Sequence, residues 1–226
     1  MMLGDLLARG RTADVYEAGE GRVLRRYRDG DDAGGELATM TLVAAAGFPV
    51  PKVFPERPRP TDLVMERVAG ATMLVALVDG SMAPEEGGRM LAELLRRLHA
   101  VPPGAQAGPG ERVLHLDLHP DNVLLSPRGP VVIDWQNAEL GPPALDWATS
   151  ALILAQAAVT RMVEPVELTR LLLASLLSCR GPEEEGGELF GGQLAEACAR
   201  RAANPTMSAE ETAALGEAVE LVHALA

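Results

Sequence analysis

The chain has 226 residues, 47% of them hydrophobic and 23% charged, which is enough to bury a core and too apolar for a disordered polymer. Its net charge of −12 argues against a nucleic-acid binder or a protein lying on an anionic membrane. Cys179 and Cys198 lack metal-type spacing and read as reduced, buried thiols, and the start Met1-Met2-Leu3-Gly4-Asp5 lacks the basic-then-apolar pattern of a secretory signal, so the expected place is the cytoplasm.

Residues 6–27 read as two or three short strands. Val15 and Tyr16 favour a strand, Gly19-Glu20-Gly21 a turn, and Val23-Leu24-Arg25-Arg26-Tyr27 a second strand with two basic residues in its middle. Alternation puts Val23 and Arg25 on one face and Arg26 on the other, toward solvent, although the two arginines could be exchanged. The turn over residues 8–12 holds a single glycine, Gly10. Leu37, Met40, Leu42 and Val43 then recur at helical spacing over residues 35–46, until Gly47 stops them. Glu36 sits in the first turn of that helix, where the dipole favours an acid. Residues 48–53 and 63–65 read as strands around a proline-rich turn, and residues 66–70 as a linker between two lobes.

A helix over residues 84–101 is marked by Leu91, Leu94, Leu95 and Leu98 on one face, opposite Glu93, Arg96 and Arg97. His99 near its end suits a dipole partner or a core hydrogen bond. Residues 102–110 form a Pro/Gly-rich loop. Beyond the central motif, residues 144–159 are an apolar helix carrying Asp146, too short and too polar to span a bilayer. Further helices are expected over residues 166–177, 187–203 and 209–226, separated at Gly181-Pro182 and Asn204-Pro205. Glu183-Glu184-Glu185 reads as a solvated loop. There is no internal repeat, and nothing sets an oligomeric state.

The chemistry concentrates in His115-Leu116-Asp117-Leu118-His119-Pro120-Asp121-Asn122, then the apolar runs 123–125 and 131–133, ending on Asp134-Trp135. Phosphoryl transfer calls for this set. One carboxylate, Asp117, positions a hydroxyl and accepts its proton, while an amide oxygen, Asn122, and a second carboxylate, Asp134, hold magnesium over the phosphates of ATP. Hard oxygen ligands suit that cation. A plain turn between two strands would contain Pro120-Asp121-Asn122 equally well. A different alternative is a metal-dependent hydrolase using His115, Asp117 and His119, which strand alternation would place on one face. Only His99 and His223 remain to complete a zinc shell, and both cysteines lie elsewhere.

Residues 115–122 and Ile133-Asp134-Trp135 resemble the aminoglycoside phosphotransferase-like kinases, small-molecule kinases of the protein-kinase-like fold. The resemblance extends through Gly10-Arg11-Thr12-Ala13-Asp14-Val15-Tyr16, Val23-Leu24-Arg25-Arg26, Gly47-Phe48-Pro49-Val50-Pro51, Leu63-Val64-Met65-Glu66-Arg67 and Leu98-His99. It implies an α+β fold of two lobes: a strand-rich, nucleotide-binding lobe over residues 1–68 and a mainly helical lobe over residues 69–226 that carries catalysis and the acceptor site. ATP and magnesium would lie between them. By the same resemblance, the loop with Gly10 and Thr12 covers the phosphates and Arg25 stands where relatives carry a phosphate-binding lysine. Glu36 pairs with Arg25, and the backbone near Glu66 and Val68 meets adenine.

The resemblance also implies that Asp146 braces the catalytic loop, although a helix N-terminal acid needs no such role. The acceptor stays open, because relatives phosphorylate aminoglycosides, choline, sugars and amino alcohols. Four departures, Ala8, Arg25, Asp121 and Gly141-Pro142-Pro143, distinguish this chain from the common pattern. Lys52 is the only lysine, so none elsewhere stands in for the missing one. Ala8, Arg25 and Asp121 carry a second reading, a pseudokinase that binds nucleotide or a partner without turnover, which Asp117, Asn122 and Asp134 together oppose.

Overall fold

Strands β1 (Leu6–Arg9), β2 (Ala13–Glu17), β3 (Arg22–Tyr27), β4 (Val53–Phe54) and β5 (Asp62–Glu66) form one antiparallel sheet in the order β1-β2-β3-β5-β4. The computed structural model describes residues 3–181 and 192–226. The turn between β2 and β3 needs left-handed backbone at Gly19 (φ 93°) and Gly21 (φ 68°), which glycine adopts without a Cβ penalty. Register sets Arg25 between Val15 and Leu63 in the middle of the sheet.

Helix α1 (Gly34–Ala45) follows β3 and buries Glu36, Met40 and Val43. Residues 48–52, expected as strand, are not in one. Pro49 and Pro51 lack N–H donors at alternate positions, so this stretch cannot complete a ladder. Instead the Pro49 carbonyl accepts the Val132 N–H at 2.8 Å, tying the segment to the hairpin of the central motif.

The chain leaves the sheet through Gly70 (φ 142°), where a Cβ would lie 2.2 Å from the Leu125 carbonyl oxygen. It then makes β6 (Ala71–Thr72) and α2 (Met73–Val78), a helix not anticipated in Met-Leu-Val-Ala-Leu-Val, which is apolar without a period. Thr72 caps it by accepting the Val75 N–H at 3.3 Å. Helix α3 (Pro84–His99) buries Leu91, Leu94, Leu95 and Leu98 as their spacing requires.

Strands β7 (Arg112–Leu114), β8 (Val123–Ser126), β9 (Gly129–Val132) and β10 (Glu139–Gly141) carry the central motif, with a 3-10 turn at Pro120–Asn122. They make two small sheets, β10-β7 and β6-β8-β9. Helices α4 (Pro143–Val159), α5 (Val166–Ser178), α6 (Gln193–Ala202), α7 (Ala209–Ala213) and α8 (Leu215–Leu225) complete the described residues. Helix α4 is the axis of this half: α5, α6 and α8 all pack against it. The single helix expected over residues 209–226 is split at Ala214, because only α8 has a face to bury, Leu215, Ala218, Leu221 and Val222. The first part of the helix expected over 187–203, and Glu183-Glu184-Glu185, lie outside the described residues.

One continuous apolar core runs from Val23 and Met40 through Trp135 to Leu221. The result is an α+β architecture, an antiparallel sheet region followed by a helical one. Among the described residues no helix is long and apolar enough to cross a membrane. Cys179 and Cys198 are free, and half-buried rather than buried.

Candidate active site

The loop after β7 is held from beneath by Asp146, whose side chain is fully buried in the first turn of α4. Its Oδ2 accepts the His115 N–H at 2.9 Å and its Oδ1 accepts the Leu116 N–H at 2.7 Å, while His99 Nε2 lies 3.0 Å from Oδ2. Burial pushes the Asp146 carboxyl up, but His99 and the backbone donor outweigh it and hold the group below its ordinary value. These bonds stabilise a Leu116 backbone at φ 60°, a conformation that costs a β-carbon-bearing residue about 1–3 kcal/mol. Asp146 is thus both a helix N-terminal acid and the brace of the loop.

His115 Nε2 lies 3.0 Å from the Ile133 carbonyl, and its Nδ1 accepts the Asp117 N–H at 3.2 Å. A neutral imidazole protonated at Nε2 satisfies both. Because the segment is a loop, His115, Asp117 and His119 do not share a strand face, contrary to what alternation suggests. Among the described residues no three of His, Cys, Asp and Glu are grouped as a metal-ligand set. Burial also pushes His119 below the usual imidazole value, leaving it neutral at pH 7, with Nδ1 accepting the Asp121 N–H at 3.3 Å.

Asn122 closes the loop. Its Nδ2 donates to the Asp117 carbonyl at 2.9 Å and to Asp117 Oδ2 at 3.3 Å, so its Oδ1 is turned away from both. The Ile133 N–H bonds the Asn122 carbonyl at 3.0 Å, and the β8–β9 register sets Val123 opposite Val132. Asn122 and Asp134 therefore stand at the same end of the hairpin. Asp134 has φ 66°, which turns its carboxylate back toward β3.

There it meets Arg25. The guanidinium bridges two carboxylates, Nη1 to Glu36 Oε1 at 3.1 Å and Nη2 to Asp134 Oδ1 at 2.5 Å. Glu36 also accepts the Trp135 N–H at 3.0 Å and the Tyr27 hydroxyl. Burial raises the Glu36 carboxyl, against the pull of Arg25, Tyr27 and Trp135. For Arg25 burial works downward, but Glu36 and Asp134 prevail, so the guanidinium stays charged. Trp135 fixes this corner by packing edge-on against Phe48 and His115, with centroids 5.6 and 4.7 Å away. Arg26 does not point freely to solvent: it grips the buried Asp62 through two bonds of 2.7 and 2.8 Å.

Above this network the Gly10 turn reaches across to the helical region. Thr12 Oγ1 donates to Gln136 Oε1 at 2.7 Å, and Arg11 Nη2 binds Glu211 Oε1 at 2.8 Å. Glu66 lies at the other end of the hairpin, its carboxylate 2.6 Å from Arg128. Its N–H is taken by the Lys52 carbonyl at 2.8 Å, while the Val68 N–H has no partner among the described residues.

Asp117, Asn122, Asp134, Arg25 and Glu36 thus form one connected network. Thr12 bonds Gln136, two positions beyond Asp134 in the chain, but among the described residues neither Gly10, Thr12, Glu66 nor Val68 bonds a side chain of that network. Among the described residues Asn122 Oδ1 and one oxygen of Asp134 have no hydrogen-bond partner, and such oxygens suit magnesium, which takes few protein ligands and shares the rest with phosphate and water. The sequence reading missed Tyr27, Gln136 and the pair Gln156–Arg201, whose Nε and Nη2 bonds to Gln156 Oε1 measure 3.0 and 2.6 Å. Tyr27 was detectable, two residues beyond Arg25 on the same face of a strand. For Arg201, on the polar side of a C-terminal helix, no sequence signal exists.

A sequence model described as the phosphotransferase enzyme family APH matches residues 5–112 and 105–184. No curated protein matches the sequence. Solved structures with the same fold include a choline/ethanolamine kinase family protein from Mesorhizobium loti, 16% identical, with a TM-score of 0.57 covering 100% of this chain and 88% of that one. Aminoglycoside phosphotransferase APH(4)-Ia is 16% identical, with a TM-score of 0.55 and coverages of 100% and 95%. ADP-bound aminoglycoside phosphotransferase APH(2'')-Ib is 12% identical, with a TM-score of 0.56 and coverages of 100% and 94%.

Proposed function

Since this chain belongs to the phosphotransferase enzyme family, we propose that it transfers the γ-phosphoryl group of ATP to a hydroxyl of a small molecule. The observation that carries this reading is Arg25, buried in the sheet yet linked through Asp134 and the hairpin to Asn122 and Asp117. A connected set of base, amide oxygen, carboxylate and cation is what phosphoryl transfer requires. Structures of APH(4)-Ia with AMP-PNP and hygromycin B, and with ADP and hygromycin B, support a nucleotide and a small acceptor in this fold.

In this reading residues 1–68 form the nucleotide-binding lobe and residues 69–226 the catalytic and acceptor lobe. Adenine stacks near the Glu66–Val68 linker, where the Val68 N–H is free to donate. The Gly10–Thr12 turn covers the phosphates, and Arg25 shares its guanidinium between Glu36 and phosphate oxygen. Asn122 and Asp134 would hold magnesium, which when bound neutralises phosphate charge. Asp117 orients the acceptor hydroxyl. As the hydroxyl oxygen bonds to the γ-phosphorus, the bond to the β–γ bridging oxygen breaks and ADP leaves. The hydroxyl proton passes to the Asp117 carboxylate, late, because the transition state is largely dissociative.

A second reading, a binding module without turnover, rests on one specific contact: the 2.5 Å pair between Arg25 and Asp134 engages an oxygen that metal binding would use. A screen for ADP release over hydroxylated metabolites and aminoglycosides separates the two. The expected result is turnover with at least one acceptor, with Asp117→Asn folded, still stabilised by ATP, and slowed by about 10²–10⁴-fold. Asp134→Ala is expected to lose the magnesium-dependent part of the thermal shift given by ATP. Wild type that binds ATP and releases no more ADP than Asp117→Asn across a broad panel would decide for the binding module.

A further inference from the structure

His119 lies two residues beyond Asp117, and neither the magnesium pair nor the Arg25 clamp uses it. Pro120 holds its backbone extended, at φ −147° and ψ 170°, because the proline ring disfavours helical backbone in the residue before it. From there the imidazole caps the 3-10 turn over Pro120–Asn122, with Nδ1 accepting the Asp121 N–H at 3.3 Å. A ring nitrogen that accepts a hydrogen bond carries no proton, so the imidazole proton sits on Nε2. Among the described residues that N–H has two polar neighbours, Asn122 Nδ2 at 3.2 Å and Asp117 Oδ1 at 3.8 Å.

Of the two, only the carboxylate can accept it. The Asn122 amide nitrogen is itself a donor, committed to the Asp117 carbonyl at 2.9 Å and to Asp117 Oδ2 at 3.3 Å. Turning the amide over would set its oxygen against those same two acceptors, so two donors face each other between His119 and Asn122. Asp117 in turn lacks a second donor. A single bond of 3.3 Å leaves its carboxylate free to rotate about a soft sp³–sp² torsion, while a base that addresses a hydroxyl works only when it is held in orientation. The bond from the Asp117 N–H to His115 Nδ1 fixes the backbone and not the carboxylate. The side chains of His119 and Asp117 are 25% and 27% exposed, so neither is wedged in place. Closing the gap to hydrogen-bond length takes a motion of about 1 Å, and catalytic hydrogen bonds commonly tighten in this way when a site is loaded.

We infer that His119 is the positioning residue of the base: with nucleotide bound, its Nε2–H donates to Asp117 Oδ1 while Asn122 Nδ2 holds Oδ2. Donors on both oxygens fix the plane of the carboxylate and leave a lone pair on each for the acceptor hydroxyl. His119 acts only through Asp117 in this arrangement and touches no reacting atom. The inference rests on the phosphotransferase reading for the purpose of Asp117, but the contact is testable without turnover.

The chain has four histidines, so long-range proton–nitrogen NMR of the full-length protein with AMP-PNP and magnesium separates the rings, and the signals missing in His119→Gln identify His119. Expected is the Nε2–H tautomer, with an Nε2 resonance that moves in Asp117→Ala. An Nδ1–H tautomer, or an Nε2 resonance indifferent to Asp117→Ala, would overturn the contact.

Two substitutions then divide the work of the two ring nitrogens. Asparagine is a good cap and sets an acceptor near the place of Nδ1, but has nothing at the place of Nε2. Glutamine brings an amide N–H near the place of Nε2 and gives up the cap. ADP release is followed with an acceptor found by screening, or with water as the acceptor. His119→Asn should keep the fold and a KM for ATP within roughly threefold of wild type while kcat falls about tenfold, and His119→Gln should recover most of that loss. A merely structural role predicts the reverse order, because only asparagine keeps the cap. Asparagine as active as wild type, or glutamine no better than asparagine, would overturn the positioning role. Wild type releasing no more ADP than Asp117→Asn, with the Asp117-dependent Nε2 resonance present, would support the contact and remove the phosphotransferase reading.

Discussion

At the scale of single residues, Arg25, a buried arginine held between two carboxylates, is the feature that most needs a physical account. A lysine offers one compact ammonium, whereas Arg25 uses two separate nitrogens to hold Glu36 and Asp134 together. Arg25→Ala would leave Glu36 buried at 6% exposure with its cation gone, so a loss of about 3–5 kcal/mol in a urea melt is expected. Arg25→Lys should keep the fold, because the charge remains, and hold or raise activity while loosening one of the two bonds. Tolerance of both substitutions would show that neither carboxylate depends on this cation. The arrangement also explains why Arg26 cannot substitute: it faces the opposite side of β3 and is committed to Asp62.

Between elements, the tightest constraint in the helical region is a glycine pair rather than a large side chain. On α3, a Cβ at Gly88 would lie 2.5 Å from Ser175 Cβ and 2.7 Å from the Leu172 carbonyl oxygen on α5. Backbone cannot give way as a side-chain tip can. Gly88→Ala is therefore expected to destabilise by about 1–3 kcal/mol of overpacking, outweighing the roughly 1 kcal/mol that alanine adds to a helix. Gly87→Ala should cost less, since the atoms it meets are the methyl ends of Leu172 and Leu77. Denaturant midpoints of the two variants decide this, and a Gly88→Ala protein as stable as wild type would mean that α3 and α5 are free to separate. Helix α3 also delivers His99 to Asp146, so its docking sets the loop that carries Asp117.

Across the whole molecule, Glu36 is one of several contacts that join the sheet region to the rest, tying α1 to Trp135, while Asp146 ties α4 to the loop that carries Asp117. The Asp146 contact makes a prediction about acid. Asp146 lies below its ordinary value in the folded state, so its contribution is complete above the unfolded pKa of about 3.9 and is lost as pH falls through the lower folded value. Asp146→Asn removes that contribution at every pH and presents an amide to backbone donors. Wild type should then exceed the variant in stability at pH 7 by roughly 3–5 kcal/mol, and the gap should narrow only below about pH 4. A gap that is constant from pH 7 to pH 2.5 would show that the charge of Asp146 is not what the loop uses.

The sequence by itself determined most strands of the N-terminal sheet, the buried face of α3 and the place of the Asp117–Asn122 motif, because each is written in local spacing: alternation, a 3.6-residue period, and fixed offsets between polar residues. The Asp117–Asn122 segment and Asp134 stand out for the same reason, as polar residues bounding two short apolar runs. Residues 48–52 and α2 escaped that reading, one because alternating prolines look extended without being able to pair, the other because Met73 to Val78 has no polar face to reveal a period. Only the tertiary structure decided which partner each charge takes. Arg25 and Asp134 are 109 positions apart, Glu36 and Trp135 99, and Arg11 and Glu211 200. No periodicity encodes such pairings; they follow from how the sheet and the helices pack around one core.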